Sequence, residues 1–240
     1  MTQTTERFLA DVARDKRTLE MFRYLINGAY LRVVNYHNTN PASAEQLEAE
    51  IRYYSEHFVP VTLRDLDAFF TTRKWPYDRP GLIPAVFEGF RNQYDVLVPL
   101  LNKYHFTGWF YIPSYYMDVP VPEQAAYSEA HELDISDHGL YPDGRVAMTW
   151  DEVREIASRH EICCHTGTHF QITRESSEEE MRREIVDAKR HLEAQIGREV
   201  KVFCWLYGEE YRYNARAHRY LEEAGYEYVL SNLKLEKIRK

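Results

Sequence analysis

The segment Cys164-His165-Thr-Gly-Thr-His169 follows an apolar, strand-like run and carries two imidazoles four residues apart. On a helix such a pair would share one face, but Thr-Gly-Thr favours a turn, and a turn at a strand end can aim both rings at one point. Another apolar run, Gly81-Leu-Ile-Pro-Ala-Val-Phe-Glu88, ends on a carboxylate. A charge in that place has to be paired, exposed or bound to a ligand. Two imidazoles and a carboxylate are a common ligand set for a borderline divalent metal, with a position left open for water. The spacing is equally compatible with two histidines hydrogen-bonded in the core, because a bare His-x-x-x-His is a weak signal.

The elements that must position these residues alternate between β-rich runs and helical periods. Leu31–Asn35 reads as a strand ending at Tyr36-His37. A capping box at Ser43 and Gln46 then opens a helix with Leu47, Ile51, Tyr54 and Phe58 inward. Phe58–Val61 is a short strand, and Thr62 with Asp65 caps the helix that follows. Strands are expected at Leu82–Glu88, Phe106–Ile112, Glu161–Cys164, Val200–Trp205 and Tyr226–Leu230. Between them lie helices capped by Thr149/Glu152 and Ser177/Glu180, the latter stopped by Gly197, and a last helix over Ala215–Ala224. Pro99 suits its helix only near the first turn, so that helix starts around Tyr94–Val98. This alternation predicts an α/β fold with about seven mostly parallel strands and ligands at their C-terminal ends, where Glu88, His37 and His165 all fall. The chain reads as a single domain over 1–240, interrupted by an aperiodic insertion or lid at 113–145 that holds four prolines, many acids and several tyrosines.

A 44% hydrophobic and 14% aromatic composition fills a sizeable core. The net charge of −8 argues against a nonspecific binder of nucleic acid or of an anionic membrane, and no run reaches the ~20 apolar residues of a membrane span. Arg182-Arg183 and Lys189-Arg190 read as the solvated face of a helix. Three cysteines make no disulfide framework, and with a charged start lacking a secretory pattern the expected setting is cytoplasmic.

The series Val33-Val-Asn-Tyr-His37, Ala85-Val-Phe-Glu-Gly-Phe90, Gly108-Trp-Phe-Tyr-Ile-Pro113, Met148-Thr-Trp-Asp-Glu152, His165-Thr-Gly-Thr-His169 and Phe203-Cys-Trp-Leu-Tyr-Gly208 resembles the motif order of the polysaccharide deacetylase family, the NodB-homology domain. The resemblance implies a distorted seven-stranded (β/α) barrel and a metal-dependent deacetylase, hydrolysing a non-peptide carbon–nitrogen bond such as that of an N-acetyl sugar. It implies Glu88, His165 and His169 as ligands of a divalent metal, Zn²⁺ first, and a small-molecule or glycan substrate touching Trp205 and Tyr207, to which Tyr115 is added as a flat ring suited to a sugar face. Phe87 stands where the family's general base is an aspartate, Leu206 stands where proline is usual, and no late Leu-x-His follows His218. His37 is the first candidate to take over proton transfer beside Glu88. Asp118 and Glu209 are further carboxylates to consider, each also readable as a plain solvated acid. Cys163 and Cys164 adjoin His165, with small buried core residues as the simpler reading. Tyr116, Tyr127 and Tyr141 join Tyr115 as possible sugar-stacking rings or as a sticky interface. The alternative to an enzyme is a catalytically inactive barrel that binds a carbohydrate or metabolite.

Overall fold

The computed structural model describes residues 31–136, 139–208, 216–231 and 235–238. The first 30 residues and Glu209 lie outside the described residues. A single curled sheet organises the rest. It runs β1 (Leu31–Tyr36), β3 (Gly81–Phe87), β4 (Trp109–Ile112), β5 (Glu161–Cys164), β6 (Val202–Cys204), β7 (Tyr228–Leu230) and β8 (Leu235–Lys237), with the two-residue β2 (Val59–Pro60) paired to the start of β3. Every pairing is parallel except that of β7 with β8. The mostly parallel, curled sheet with helical crossovers agrees with the distorted barrel expected from the sequence.

Helices α1 (Ala44–His57), α2 (Leu63–Thr72), α3 (Val98–Lys103), α4 (Val121–Ala130), α5 (Trp150–Ala157), α6 (Glu178–Met181), α7 (Ala188–Ile196) and α8 (Ala217–Ala224) fill the connections. Alternation along the strands sorts side chains onto two faces. Leu82, Val86, Phe110, Ile162, Cys164 and Phe203 pack with helical residues such as Ile156, Ile185 and Leu192. Ile83, Ala85, Phe87, Trp109, Tyr111, Cys163 and Cys204 form a separate inner cluster.

The capping boxes at Thr62/Asp65, Thr149/Glu152 and Ser177/Glu180 are present, and Gly197 ends α7 at a left-handed φ of 70°. Three sequence expectations change. Ser43 makes no side-chain cap, because a 3₁₀ turn at Pro41–Ser43, capped by Asn40, starts α1 instead. Both α3 and α7 are preceded by wide turns of π type, Gln93–Leu97 and Arg182–Asp187, which sequence periodicity does not reveal. The 113–145 segment is more regular than its composition suggests, since α4 starts at Val121-Pro122 and docks through Gln124, whose Oε1 accepts from the Val146 and Ala147 amides at 2.9 and 3.1 Å. Among the described residues, no helix is long and apolar enough to cross a membrane.

Candidate active site

A cavity of about 790 Å³ opens at the C-terminal ends of the strands, lined by His37 after β1, Phe87 and Glu88 at the end of β3, His165 after β5, and Cys204 and Trp205 at the end of β6. His169, Tyr207 and two acids of the 113–145 segment, Glu132 and Asp134, also face it. Six residues named from sequence therefore meet in one place: Glu88, His37, His165, His169, Trp205 and Tyr207.

Glu88 reaches the cavity against the alternation of its strand. Leu82 and Val86 turn toward the helices, and the next even position would follow them. Instead Glu88 has φ of 80° and Gly89 φ of 73°, a left-handed pair that turns the chain out of β3. For a glutamate such a backbone costs of order 1–3 kcal/mol. Among the described residues, other non-glycine positions with positive φ include Glu132, His169 and Tyr207, which line the cavity, and Thr166 in the His165–His169 loop. Strain of this kind collects where a backbone is held in place to aim side chains.

The two imidazoles are arranged alike. His165 Nδ1–H donates to the Cys204 carbonyl at 3.2 Å and His169 Nδ1–H to the His131 carbonyl at 2.7 Å, so each ring has Nε2 left to accept. Their centroids are 5.2 Å apart at 67°. Burial pushes the pKa of His165 well below the usual value, and the neighbouring His169 adds to it; burial also lowers that of His169. Both rings are neutral near pH 7. Neutral imidazoles with one nitrogen fixed by a carbonyl are the form in which histidine binds metal.

Glu88 behaves differently. Its Oε1 lies 2.6 Å from His37 Nδ1, which donates, and this hydrogen bond raises the pKa of His37. His37 stacks on Phe87 at 5.1 Å, and Phe87 in turn stacks on Tyr111 at 4.9 Å. Among the described residues, no three His, Cys, Asp or Glu side chains are gathered closely enough to hold a metal ion. The donor chemistry of the imidazole pair fits a divalent cation. Glu88 has Oε1 engaged by His37, which leaves only Oε2 as a further donor.

The remaining candidates lie elsewhere. Tyr115 does not line the cavity; its ring packs against Gly167 and neighbours His191 at 5.2 Å. Tyr116 is buried with its hydroxyl on Ser128, Tyr127 stacks on Tyr116 and His131, and Tyr141 lies under the Arg91 guanidinium. Asp118 accepts from Trp150 Nε1 and faces His191. Cys163 and Cys164 are fully buried, and burial pushes both thiols up, Cys164 to about 12, which leaves no reactive thiolate.

Sequence reading missed two buried supports. Gln93, at the start of the first π turn, donates to the carbonyls of His37 and Phe87 and accepts from the Phe90 amide, tying the ends of β1 and β3 together. Glu184, in the second π turn, accepts from the amides of Gly167 and Thr168. The available signal was a polar residue on a helix face otherwise made of Met181, Ile185 and Ala188.

A family model described as polysaccharide deacetylase matches residues 85–229, more than half of the chain. A search of curated proteins finds no match. Among solved structures, the fold is similar to a de-N-acetylase from Aggregatibacter actinomycetemcomitans, with 18% identity, TM-score 0.61, and 88% of this chain and 90% of that one covered. It is also similar to the BpsB deacetylase domain from Bordetella bronchiseptica, with 17% identity, TM-score 0.61, and coverage of 85% and 89%. A third similar structure is the Streptococcus pyogenes deacetylase PplD in complex with acetate, with 13% identity, TM-score 0.61, and coverage of 82% and 80%. At these identities the likeness establishes the fold.

Proposed function

The chain belongs to the polysaccharide deacetylase family, and from that premise we propose that it is a metal-dependent hydrolase that removes an acetyl group from the nitrogen of an amino sugar in a glycan. The observation that carries this reading is the imidazole pair: two buried, neutral rings, each fixed through Nδ1 by a backbone carbonyl and each with Nε2 left for a ligand. His165 and His169 would hold the ion, Zn²⁺ first, with Glu88 Oε2 as the third donor. When bound, the ion would supply a polarised amide carbonyl and an activated water.

The chain's own residues would divide the proton work in an unusual way. Phe87 occupies the family's base position and carries no proton. It is 6% exposed and forms, with Tyr111, an apolar floor beneath His37. His37, which lines the cavity and is oriented at Nδ1 by Glu88, would serve as acid–base. Trp205 and Tyr207 would bound the sugar, and Tyr207 joins the rim by donating from its hydroxyl to Glu132. A catalytically inactive sugar-binding barrel is the second reading, supported by Phe87 itself.

The experiment is metal titration with Zn²⁺ and Co²⁺ followed by an acetate-release assay on N-acetylglucosamine oligomers. One ion per chain with acetate release is the expected result. One ion without acetate release would favour the binding barrel, and no bound ion would end the metal-dependent reading.

A further inference from the structure

Glu184 is fully buried and lies in the π turn between α6 and α7. Its Oε2 accepts from two consecutive backbone amides, Gly167 and Thr168, each at 2.8 Å. Its Oε1 accepts from the Thr168 hydroxyl at 3.0 Å and from Arg183 Nε at 2.8 Å. These four donors satisfy a carboxylate that would otherwise be costly to bury. Three of the four belong to the turn that joins His165 to His169.

The turn is shaped to receive it. A Cβ built on Gly167 would lie 3.0 Å from Glu184 Oε2 and 2.6 Å from Tyr115 Cε2, so glycine is what lets the backbone settle onto the carboxylate. Thr166 and His169, on either side, hold φ of 65° and 60°. The Phe170 amide closes the turn on the Thr166 hydroxyl at 2.9 Å. Pointing consecutive amides inward at one anion forces the flanking residues into this irregular path, and the path aims both imidazoles into the cavity. The wide π turn serves the same end, because it lets a glutamate replace an apolar residue on the inward face.

We propose that Glu184 is the positioning residue of the imidazole pair: an internal anion that templates the His165–His169 turn from below and sets the spacing of the two rings. The assignment rests on the metal reading of that pair. Glu184 touches neither substrate nor ion, so its effect passes through the Gly167 and Thr168 amides.

The test compares three variants by Co²⁺ affinity and absorption spectrum, and by hydrogen exchange of the Gly167 and Thr168 amides in metal-free protein. Glu184→Gln retains a carbonyl oxygen for both amides, and the Thr168 hydroxyl can reverse to accept, so affinity within about twofold of the native chain is expected. Glu184→Leu removes the acceptor; faster exchange at the two amides and a ~10–100-fold loss of Co²⁺ affinity are expected, as for other outer partners of a metal site. Glu184→Asp keeps the charge but withdraws it by one methylene, with an affinity between the other two; it decides the matter if the leucine variant does not fold. Leu192→Ala, a buried change on the following helix, controls for general destabilisation and should leave Co²⁺ affinity in place. Native-like exchange and affinity in the leucine or aspartate variant, or an equal loss in Leu192→Ala, would overturn the proposal. If native protein takes up no Co²⁺, the metal reading fails, while amide exchange still decides whether Glu184 templates the turn.

Discussion

The two walls of the cavity are built by the same device and reach different states. On one side Glu184 holds the His165–His169 turn, and on the other Gln93 holds the ends of β1 and β3 that carry His37 and Glu88. Both supports are fully buried and lie in π turns. The imidazole wall is left open toward the cavity, its Nδ1 positions engaged and its rings kept neutral by burial. The carboxylate wall is closed on itself, Glu88 bonded to His37 and His37 laid against Phe87. One wall leaves the Nε2 of both imidazoles to accept. The other already contains its counter-charge, with the His37 ring stacked on Phe87.

Removing the imidazoles tests that asymmetry with the largest effect. His165→Ala or His169→Ala should abolish stoichiometric Zn²⁺ uptake, a loss larger than the ~10–100-fold expected from any outer partner. Isothermal titration checks it, and retained uptake in both variants would place the cation elsewhere. His37→Ala comes next. If His37 transfers the proton, kcat should fall by ~10²–10⁴ while Zn²⁺ still binds, since the ring removed touches Glu88 Oε1 and not the imidazole wall. Equal turnover with and without His37 would leave the carboxylate wall without an acid–base. Phe87→Asp reopens that wall from the other direction. It places a carboxylate beside Glu88 and should raise acetate release at least ~10-fold, a part of the ~10²–10⁴-fold that one positioned base contributes. Loss of a buried ring stacked on Tyr111 and His37 should also lower stability by roughly 3–5 kcal/mol, read by urea unfolding.

How much of this was legible in the sequence follows the same division. Strand alternation and capping boxes gave the fold, because Thr62/Asp65, Thr149/Glu152 and Ser177/Glu180 act within one turn of chain and owe nothing to distant partners. The imidazole pair was legible because both rings sit on one short turn. The pairing of Glu88 with His37 was not, since the partners are 51 residues apart and Glu88 comes round through a left-handed backbone that strand periodicity does not encode. Tyr115 was placed at the substrate for its chemistry, yet its ring lies against Gly167 and His191 and does not line the cavity. Gln93 and Glu184 escaped for a related reason: their partners are backbone groups, which leave no residue type to match. A smaller prediction follows. Gln93→Leu should leave the His37 and Phe87 carbonyls and the Phe90 amide unpaired, at about 1–3 kcal/mol for each buried group. It should disturb turnover more than Zn²⁺ affinity, since it acts on the carboxylate wall.

The mildest test uses a third buried histidine as the control for the first two. His160 and His165 stand at opposite ends of β5, the one before Glu161 and the other after Cys164. His160 is equally buried, and its Nδ1 accepts from the Gly108 amide at 3.0 Å, the reverse of the donating Nδ1 of His165. Its pKa is lowered to about 4, chiefly by burial, with Arg159 adding to the shift. A histidine held neutral in the fold stabilises it fully above its unfolded pKa near 6.5 and loses that contribution as pH falls toward 4. Between pH 7.5 and 4.5 the loss should come to about 2–3 kcal/mol. His160→Asn keeps an acceptor for the Gly108 amide and cannot take up the proton, so its unfolding free energy should vary less with pH by that amount, with Zn²⁺ uptake at pH 7.5 unchanged. A native-like pH dependence in the variant would show that another group senses the acid. A loss of Zn²⁺ uptake would mean that the two ends of β5 are coupled, and the contrast between a histidine that supports the sheet and one that faces the cavity would no longer hold.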